Sequence, residues 1–336
     1  MTGSPANTTL PTLDFSRYRD PAQREGFFED LRHAAREFGF FYLSGHGISD
    51  ELQKRIVATS KEFFALPEKE KLAVEMVRSP HFRGYTRAGG ERTKGEADWR
   101  EQFDIGAERE AIQQTVRSPA WSRLQGPNQW PAGLPDLKLT TLEWQSELTR
   151  VAIELLQAFA LALGQDEDIF KPIYQDAPNQ HLKIIRYPGR DATGSSQGVG
   201  AHKDSGFLTL LLQDVQGGLQ VEKDGGWIDA TPVPGTFVIN IGEILELASN
   251  GYLKATVHRV VTPPSGKDRL SVAFFFGADL KANVPVLTLP PELAAEAGGE
   301  DTDPDNPLFR EVGRNYLKGR LRSHPDVAQR HHSDLL

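Results

Sequence analysis

His202 and Asp204 stand two apart in the run GVGAHKD. Alternate side chains of a strand share a face, so a strand here turns an imidazole and a carboxylate toward one point. His258 lies in a second strand-like run, ATVHRVV. Two neutral nitrogens and one carboxylate on one side of a cation leave the other side open, which is the arrangement of non-haem Fe(II) sites. The same donors suit zinc in a hydrolase or an isomerase. A lone His-x-Asp pair is a weak signal, because a histidine serves as readily in a hydrogen-bonded core.

Arg269 and Ser271 share a face of RLSVAFFF, followed on that face by Ala273 and Phe275. A guanidinium offers a planar fork of donors to a carboxylate, and a neighbouring hydroxyl adds a third bond. An inward Arg269 therefore asks for an anion; on an edge strand it would form only a surface ion pair.

These residues need strands to position them. Short β-rich runs recur from Leu182 to Gly277: LKIIRY, GVGAH, FLTLLLQ, GLQVE, GWIDA, TFVINI, TVHRVV and RLSVAFFF, with Gly, Pro and Asp between them. That spacing predicts a sandwich or barrel. The first third reads as helical: apolar residues at spacings of three and four run through 22–39, and Ser49 caps a second helix through about Phe64. Phe40 to Leu43 reads as a strand, and 140–163 as a long helix. Residues 78–135 lack periodicity and read as a functional loop region. Residues 278–306 read as loop and 307–323 as a closing helix, with His331-His332 in a solvated tail.

Composition narrows the chemistry. The 336 residues contain no cysteine, which excludes disulfide frameworks, Fe–S clusters and thiolate nucleophiles. Any metal sits among N and O donors, and nine histidines are available. Forty-six acids against 38 bases give a formal charge of −8, which argues against a nucleic-acid or anionic-membrane partner. Residues 1–10 lack a basic start and an apolar stretch, and 151–163 are too short to span a bilayer, so the expected location is cytoplasmic. The oligomeric state is not legible.

The ordered set His202-x-Asp204, His258, Arg269-x-Ser271 resembles the Fe(II)/2-oxoglutarate-dependent oxygenases, and in particular their isopenicillin N synthase-like family. LPTLDFS, AREFGFFYLSGHGIS and FFALPEKEK resemble its N-terminal segments. LKIIRYP, GLQVEKDGGWIDATPVPGTFVINIGEILELASNG and HRVVTP resemble its barrel. The likeness covers most of residues 11–277.

It implies an all-β core with flanking helices: a double-stranded β-helix (jelly roll, cupin-like) with an N-terminal helical region and a C-terminal helix. The core would span 180–280, with an N-terminal helical and substrate-gate region at 1–135. A supporting helix at 140–163 and a C-terminal loop and helix at 281–336 would complete one oxygenase unit over 1–336. By this resemblance His202, Asp204 and His258 ligate Fe(II), while Arg269, Ser271 and Tyr187 bind the distal carboxylate of 2-oxoglutarate.

The implied reaction consumes O2, oxidises a C–H bond of a small molecule, most simply by hydroxylation, and releases succinate and CO2, typically in secondary metabolism. Desaturation, ring formation and epoxidation are variants. Ile185 stands where the family's Asn-x-Tyr element carries asparagine, so one cosubstrate hydrogen bond is missing or supplied elsewhere. Isopenicillin N synthase and aminocyclopropane-carboxylate oxidase share the Arg-x-Ser pair without consuming 2-oxoglutarate. A 2-oxoglutarate-independent oxidase is therefore the alternative, with a cupin-like metal isomerase or hydrolase beyond it.

If Tyr187 faces inward, strand alternation turns Ile185 and Lys183 inward too. A buried ammonium needs an anion, and the expected one is a substrate or cosubstrate carboxylate; a register slip would instead leave Lys183 in solvent. Tyr85, Trp99, Phe103 and Phe275 are expected as aromatic pocket walls, with Arg83 or Arg92 reading a polar group. His46 is expected to be structural, and His33, His81, His181 and His324 have no metal-like spacing.

Overall fold

The computed structural model describes residues 9–299 and 306–336. Its strands are β1 (Thr12–Asp14), β2 (Phe40–Ser44), β3 (Gly84–Thr86), β4 (Arg92–Thr93), β5 (Glu96–Ala97), β6 (Glu101–Gly106) and β7 (Asn179–Tyr187). There follow β8 (Gln197–His202), β9 (Leu208–Gln213), β10 (Leu219–Lys223), β11 (Gly226–Asp229), β12 (Phe237–Ile241), β13 (His258–Val261) and β14 (Arg269–Gly277). Each of the eight β-rich runs read from the sequence forms a strand.

The strands build two main sheets and a separate two-stranded ribbon, β4-β5. The larger has the order β1-β2-β12-β9-β14-β7-β6-β3, and the smaller β11-β10-β13-β8. Alternation divides the larger sheet into two chemically different faces. Leu182, Ile184, Leu210, Ile239, Val272, Phe274 and Phe276 face outward into a core shared with Trp144, Leu148, Val151, Leu155 and Phe159 of the helix Pro135–Ala162. Ile185, Tyr187, Val238 and Ala273 face inward and meet Val199, Leu219, Val221 and Val260 of the smaller sheet. Two sheets closing over such a layer make the jelly roll, with helices on its outer side.

The helical readings match local chemistry. The helix Arg24–Glu37 buries Phe27, Phe28, Leu31, Ala34 and Ala35 on one face. Gly39 ends it at φ +66°, where a Cβ would lie 2.3 Å from the Lys254 carbonyl oxygen. Ser49 caps the helix Asp50–Ala65 by accepting from the Leu52 amide at 3.2 Å. No helix among the described residues is long and apolar enough to cross a membrane.

Two readings change. Residues 78–135 are not a loop region laid over the barrel: β3 and β6 extend the larger sheet, and β6 pairs with β7 along its whole length. The run EQFDIG does alternate, with Phe103 and Ile105 on one face and Gln102 and Asp104 on the other, but both faces are buried, so its polar residues mark no solvent side. The C-terminal tail is not solvated either. A second helix, Pro325–His331, follows the closing helix Val312–Ser323. His332 then stacks on Phe82 at 5.2 Å and bonds the Pro80 carbonyl at 2.8 Å.

Candidate active site

His202 ends β8 and His258 begins β13, and the two are direct cross-strand partners with ring centroids 4.3 Å apart. Asp204 lies just past the end of β8, with Oδ1 3.6 Å from His202 Nε2 and 3.8 Å from His258 Nε2. One ligand atom from each of the three residues falls within 4.8 Å of the others. Each Nδ1 meets a backbone carbonyl, Gly200 at 2.8 Å for His202 and Thr256 at 3.1 Å for His258. A ring donating from Nδ1 keeps its Nε2 lone pair free for a cation. The larger sheet orients the carboxylate: Thr209 Oγ1 and Asn240 Nδ2 both donate to Asp204 Oδ2, at 2.6 and 2.8 Å.

The electrostatics suit a cation. Burial alone would raise the Asp204 pKa, but the neighbouring His258 and the bonds from His202 and Thr209 hold it well below the usual carboxylate range. Burial, followed by the charge of His202, lowers His258 to about 4. Asp204 is thus ionised and His258 neutral at neutral pH, the forms a metal requires, while burial and the stronger opposing bond and charge of Asp204 leave His202 above its ordinary value.

The cavity beside this centre is lined by Phe40, Ile185, Leu211, Arg269, Ser271 and Phe275, among others. Arg269 is 1% exposed. It donates to the neutral oxygens of Ser271 (3.2 Å) and Gln213 (2.9 Å), its guanidinium lies over the Tyr187 ring at 4.9 Å, and its Nε has no partner. A buried cation held by neutral groups is set up to receive a carboxylate.

On the β6–β7 side of the inner face the charges are already matched. Lys183 faces inward, but its anions belong to the protein: Glu91 Oε1 at 2.9 Å and Asp104 Oδ1 at 3.9 Å. The expected ligand carboxylate is thus replaced by Glu91, which the chain brings back over the sheet. Glu91 Oε2 also accepts from Arg100 at 2.5 Å. Asp104 meets His181 at 2.8 Å and Arg320 of the closing helix at 3.1 Å. Burial, then Arg320, drives the His181 pKa to about 3, and burial drives His324 to about 4.

Of the expected pocket walls, Phe275 lines the cavity and stacks on His181. Tyr85 and Phe103 do not reach it. Phe103 pairs with the outward Ile184, and both aromatics pack on Phe63 in the helix-side core, where Tyr85 bonds Glu101. Trp99 is half-buried, packs beside Gly89 and lies outside the cavity lining. Arg83 donates to the carbonyls of His81 and Leu124 and passes over Gly106, where a Cβ would stand 2.4 Å from its Nε. Arg92 is exposed, and His46 accepts from the Ile48 amide. The sequence reading missed Thr209, Asn240, Glu91, Arg100, Asp104 and Arg320. Asn240, a lone amide inside the apolar run FVINI, was the visible clue.

Residues 178–278 match the family model of the 2OG-Fe(II) oxygenase superfamily, and residues 10–133 that of the non-haem dioxygenase in morphine synthesis N-terminal region. The chain belongs to the 2OG-Fe(II) oxygenases. It is similar to the 2-oxoglutarate-dependent dioxygenase frbJ of Dothideomycetidae sp., 36% identical over 96% of this chain and 91% of the relative. It is also 36% identical to the homoarginine-6-hydroxylase 2-ODD-C23.1 of Arabidopsis thaliana, over 84% of this chain and 88% of that protein. Among solved structures it resembles a full-length Neurospora crassa protein in complex with alpha-KG and 5-formyluracil, with a TM-score of 0.75 and 29% identity over 95% of this chain and 98% of that one. As a 2OG-Fe(II) oxygenase the chain is an oxidoreductase whose reaction uses Fe(II), 2-oxoglutarate and O2. Its two imidazoles, one carboxylate and open cavity side fit that metal.

Proposed function

We propose that the chain hydroxylates an unactivated C–H bond of a small, charged molecule, with release of succinate and CO2. His202, Asp204 and His258 hold Fe(II) in this reading, and Arg269, Ser271 and Tyr187 seat the distal carboxylate of 2-oxoglutarate. The observation that carries it is the position of Arg269: a buried guanidinium with neutral partners, in the same cavity as the three candidate ligands. Bound Fe(II), with the cosubstrate and O2, supplies the oxidant. The chain supplies position and dryness. Thr209 and Asn240 fix the carboxylate ligand, Arg269 fixes the cosubstrate tail, and Ile185, Val199, Leu211, Leu219 and Val260 keep water from the cavity.

The substrate approaches past Phe275, beside the wall of Lys183, Glu91, Asp104, His181 and Arg320. That wall, with both signs of charge, favours a small molecule that is itself charged, as the name of the homoarginine hydroxylases indicates for those relatives. Adding 2-oxoglutarate to the anaerobic Fe(II) protein is expected to give a visible charge-transfer band. In air, amino and guanidino acids are expected to stimulate succinate formation and to gain one oxygen atom, whereas apolar terpenoids leave it at its basal rate. Absence of both band and succinate would point to the oxidase alternative. A product lacking two hydrogens would replace hydroxylation by desaturation.

A further inference from the structure

Arg83 repeats, at the rim of the inner face, the state of Arg269. Its guanidinium donates to three backbone carbonyls, His81 at 2.7 Å, Phe82 at 3.4 Å and Leu124 at 3.0 Å, and its Nε is buried without a partner. Asp104 and Glu108 act on it only from beyond ion-pair distance, against the like charges of Arg320 and Arg109. Burial, then the charge of Arg320, lowers its pKa to about 10. Lys183, Arg100 and Arg320 are matched by Glu91, Asp98 and Asp104, so Arg83 is the cation left over beside that wall. Neutral company around a buried guanidinium leaves it ready for an anion.

Cross-strand pairing shows where that anion would lie. Thr209, which grips Asp204, is paired with Phe275, Phe275 with His181, and His181 with Gly106. Arg83 lies over Gly106, where a Cβ would stand 2.4 Å from its Nε. The stacked rings of Phe275 and His181 thus form a floor between the metal centre and Arg83. Three strand spacings put Gly106 about 14 Å from Thr209. One step nearer the rim, Asn179 is paired with Gly277, and Tyr316 Oη would stand 2.7 Å from a Cβ on that glycine. Asn179 and Tyr316 lie side by side, yet neither Nδ2 nor Oη completes a hydrogen bond. Unpartnered polar atoms gathered at one rim ask for a polar ligand.

We propose that Arg83 seats a carboxylate of the primary substrate, whose chain lies over Phe275 and His181 and is oxidised several bonds from its acid group. This rests on the metal centre and cosubstrate seat read above, and it narrows a charged molecule to an acid held by its far end. Arg269 takes the cosubstrate carboxylate below the floor and Arg83 the substrate carboxylate at its edge. Asn179 Nδ2 and Tyr316 Oη complete the polar end.

The test compares hexanoate with hexanamide on the Mn(II)-loaded protein, with 2-oxoglutarate saturating so that the seat at Arg269 is filled. Relaxation of the probe's protons by the metal gives both affinity and orientation. The wild-type protein is expected to bind hexanoate about tenfold tighter than hexanamide, as for a charge-assisted bond, with the methyl end relaxed most. Arg83→Gln should abolish the preference and leave hexanamide binding unchanged. A merely structural Arg83 would shift acid and amide alike. That result, no preference in the wild type, or strongest relaxation beside the carboxylate overturns the proposal. If Arg269→Gln removes the preference instead, hexanoate occupies the cosubstrate seat and the proposal falls while that seat stands. Failure of 2-oxoglutarate to bind breaks the seat at Arg269, and a preference lost with Arg83→Gln still supports the present assignment. Should Arg83→Gln not fold, Arg83→Lys keeps the charge without the planar fork. It should weaken hexanoate alone, and unchanged hexanoate binding would overturn the assignment.

Discussion

Arg269 and Lys183 are buried cations on the inner face of one sheet, on neighbouring strands, and they are kept in opposite ways. Arg269 rests on Ser271 and Gln213, both neutral. Lys183 is closed in by Glu91 and Asp104. The difference teaches how to read a buried charge. A cation left with neutral company marks a place for a ligand, whereas one matched by the chain's own carboxylates builds a wall.

The sharpest way to break this contrast starts at the centre between them. Asp204→Ala should abolish stoichiometric Fe(II) binding, measured as metal content after anaerobic reconstitution; retention of one equivalent would show that the three residues do not form the metal centre. Arg269→Gln should then lower 2-oxoglutarate affinity by roughly a hundredfold, the scale of a lost buried carboxylate contact of about 3 kcal/mol. Its melting temperature should stay near wild type. Lys183→Met should do the reverse, costing about 3 kcal/mol in denaturant unfolding because two buried carboxylates each lose one of their cationic partners. Its cosubstrate affinity should hold, and a stable Lys183→Met protein with weakened 2-oxoglutarate would erase the distinction.

Smaller effects sharpen the picture. Asn240→Leu removes one of two donors to Asp204 and should reduce metal affinity by about tenfold, seen by competition with a chelator. The charged wall should also respond to acid. His181 and His324 have folded pKa values of about 3 and 4 against an ordinary 6.5, so between those values only the unfolded chain takes up the proton. Their contribution is therefore full above pH 6.5 and is lost as pH falls toward 4. Melting temperatures across that range should fall, and the doubly substituted His181→Gln, His324→Gln protein should show a flatter slope.

The same contrast explains what could be read from the chain alone. The proposed cosubstrate residues Arg269 and Ser271 sit on a strand whose outward neighbours are strongly apolar, Leu270, Val272 and Phe274, so alternation announced their direction. Lys183 was turned inward by the same rule. Its partners were not legible, because Glu91 and Arg100 come from ERTKGEADWREQ, a run that reads as solvated charge. Arg92, Lys94 and Glu96 of that run do stay exposed, while Glu91, Asp98 and Arg100 are buried beside the start of β6. Arg320 and His324 arrive from the far end of the chain on a helix whose sequence says nothing about what it covers.

The division of labour around Asp204 has a mechanical side. The two imidazoles ride on the smaller sheet, while the carboxylate is gripped by Thr209 and Asn240 of the larger one. An ion bound by all three works as a rivet through the open rim of the barrel. Stripping it out unpins the two sheets where the reactants must enter, and amides of β8 and β13 should then exchange their hydrogens faster than those of β14.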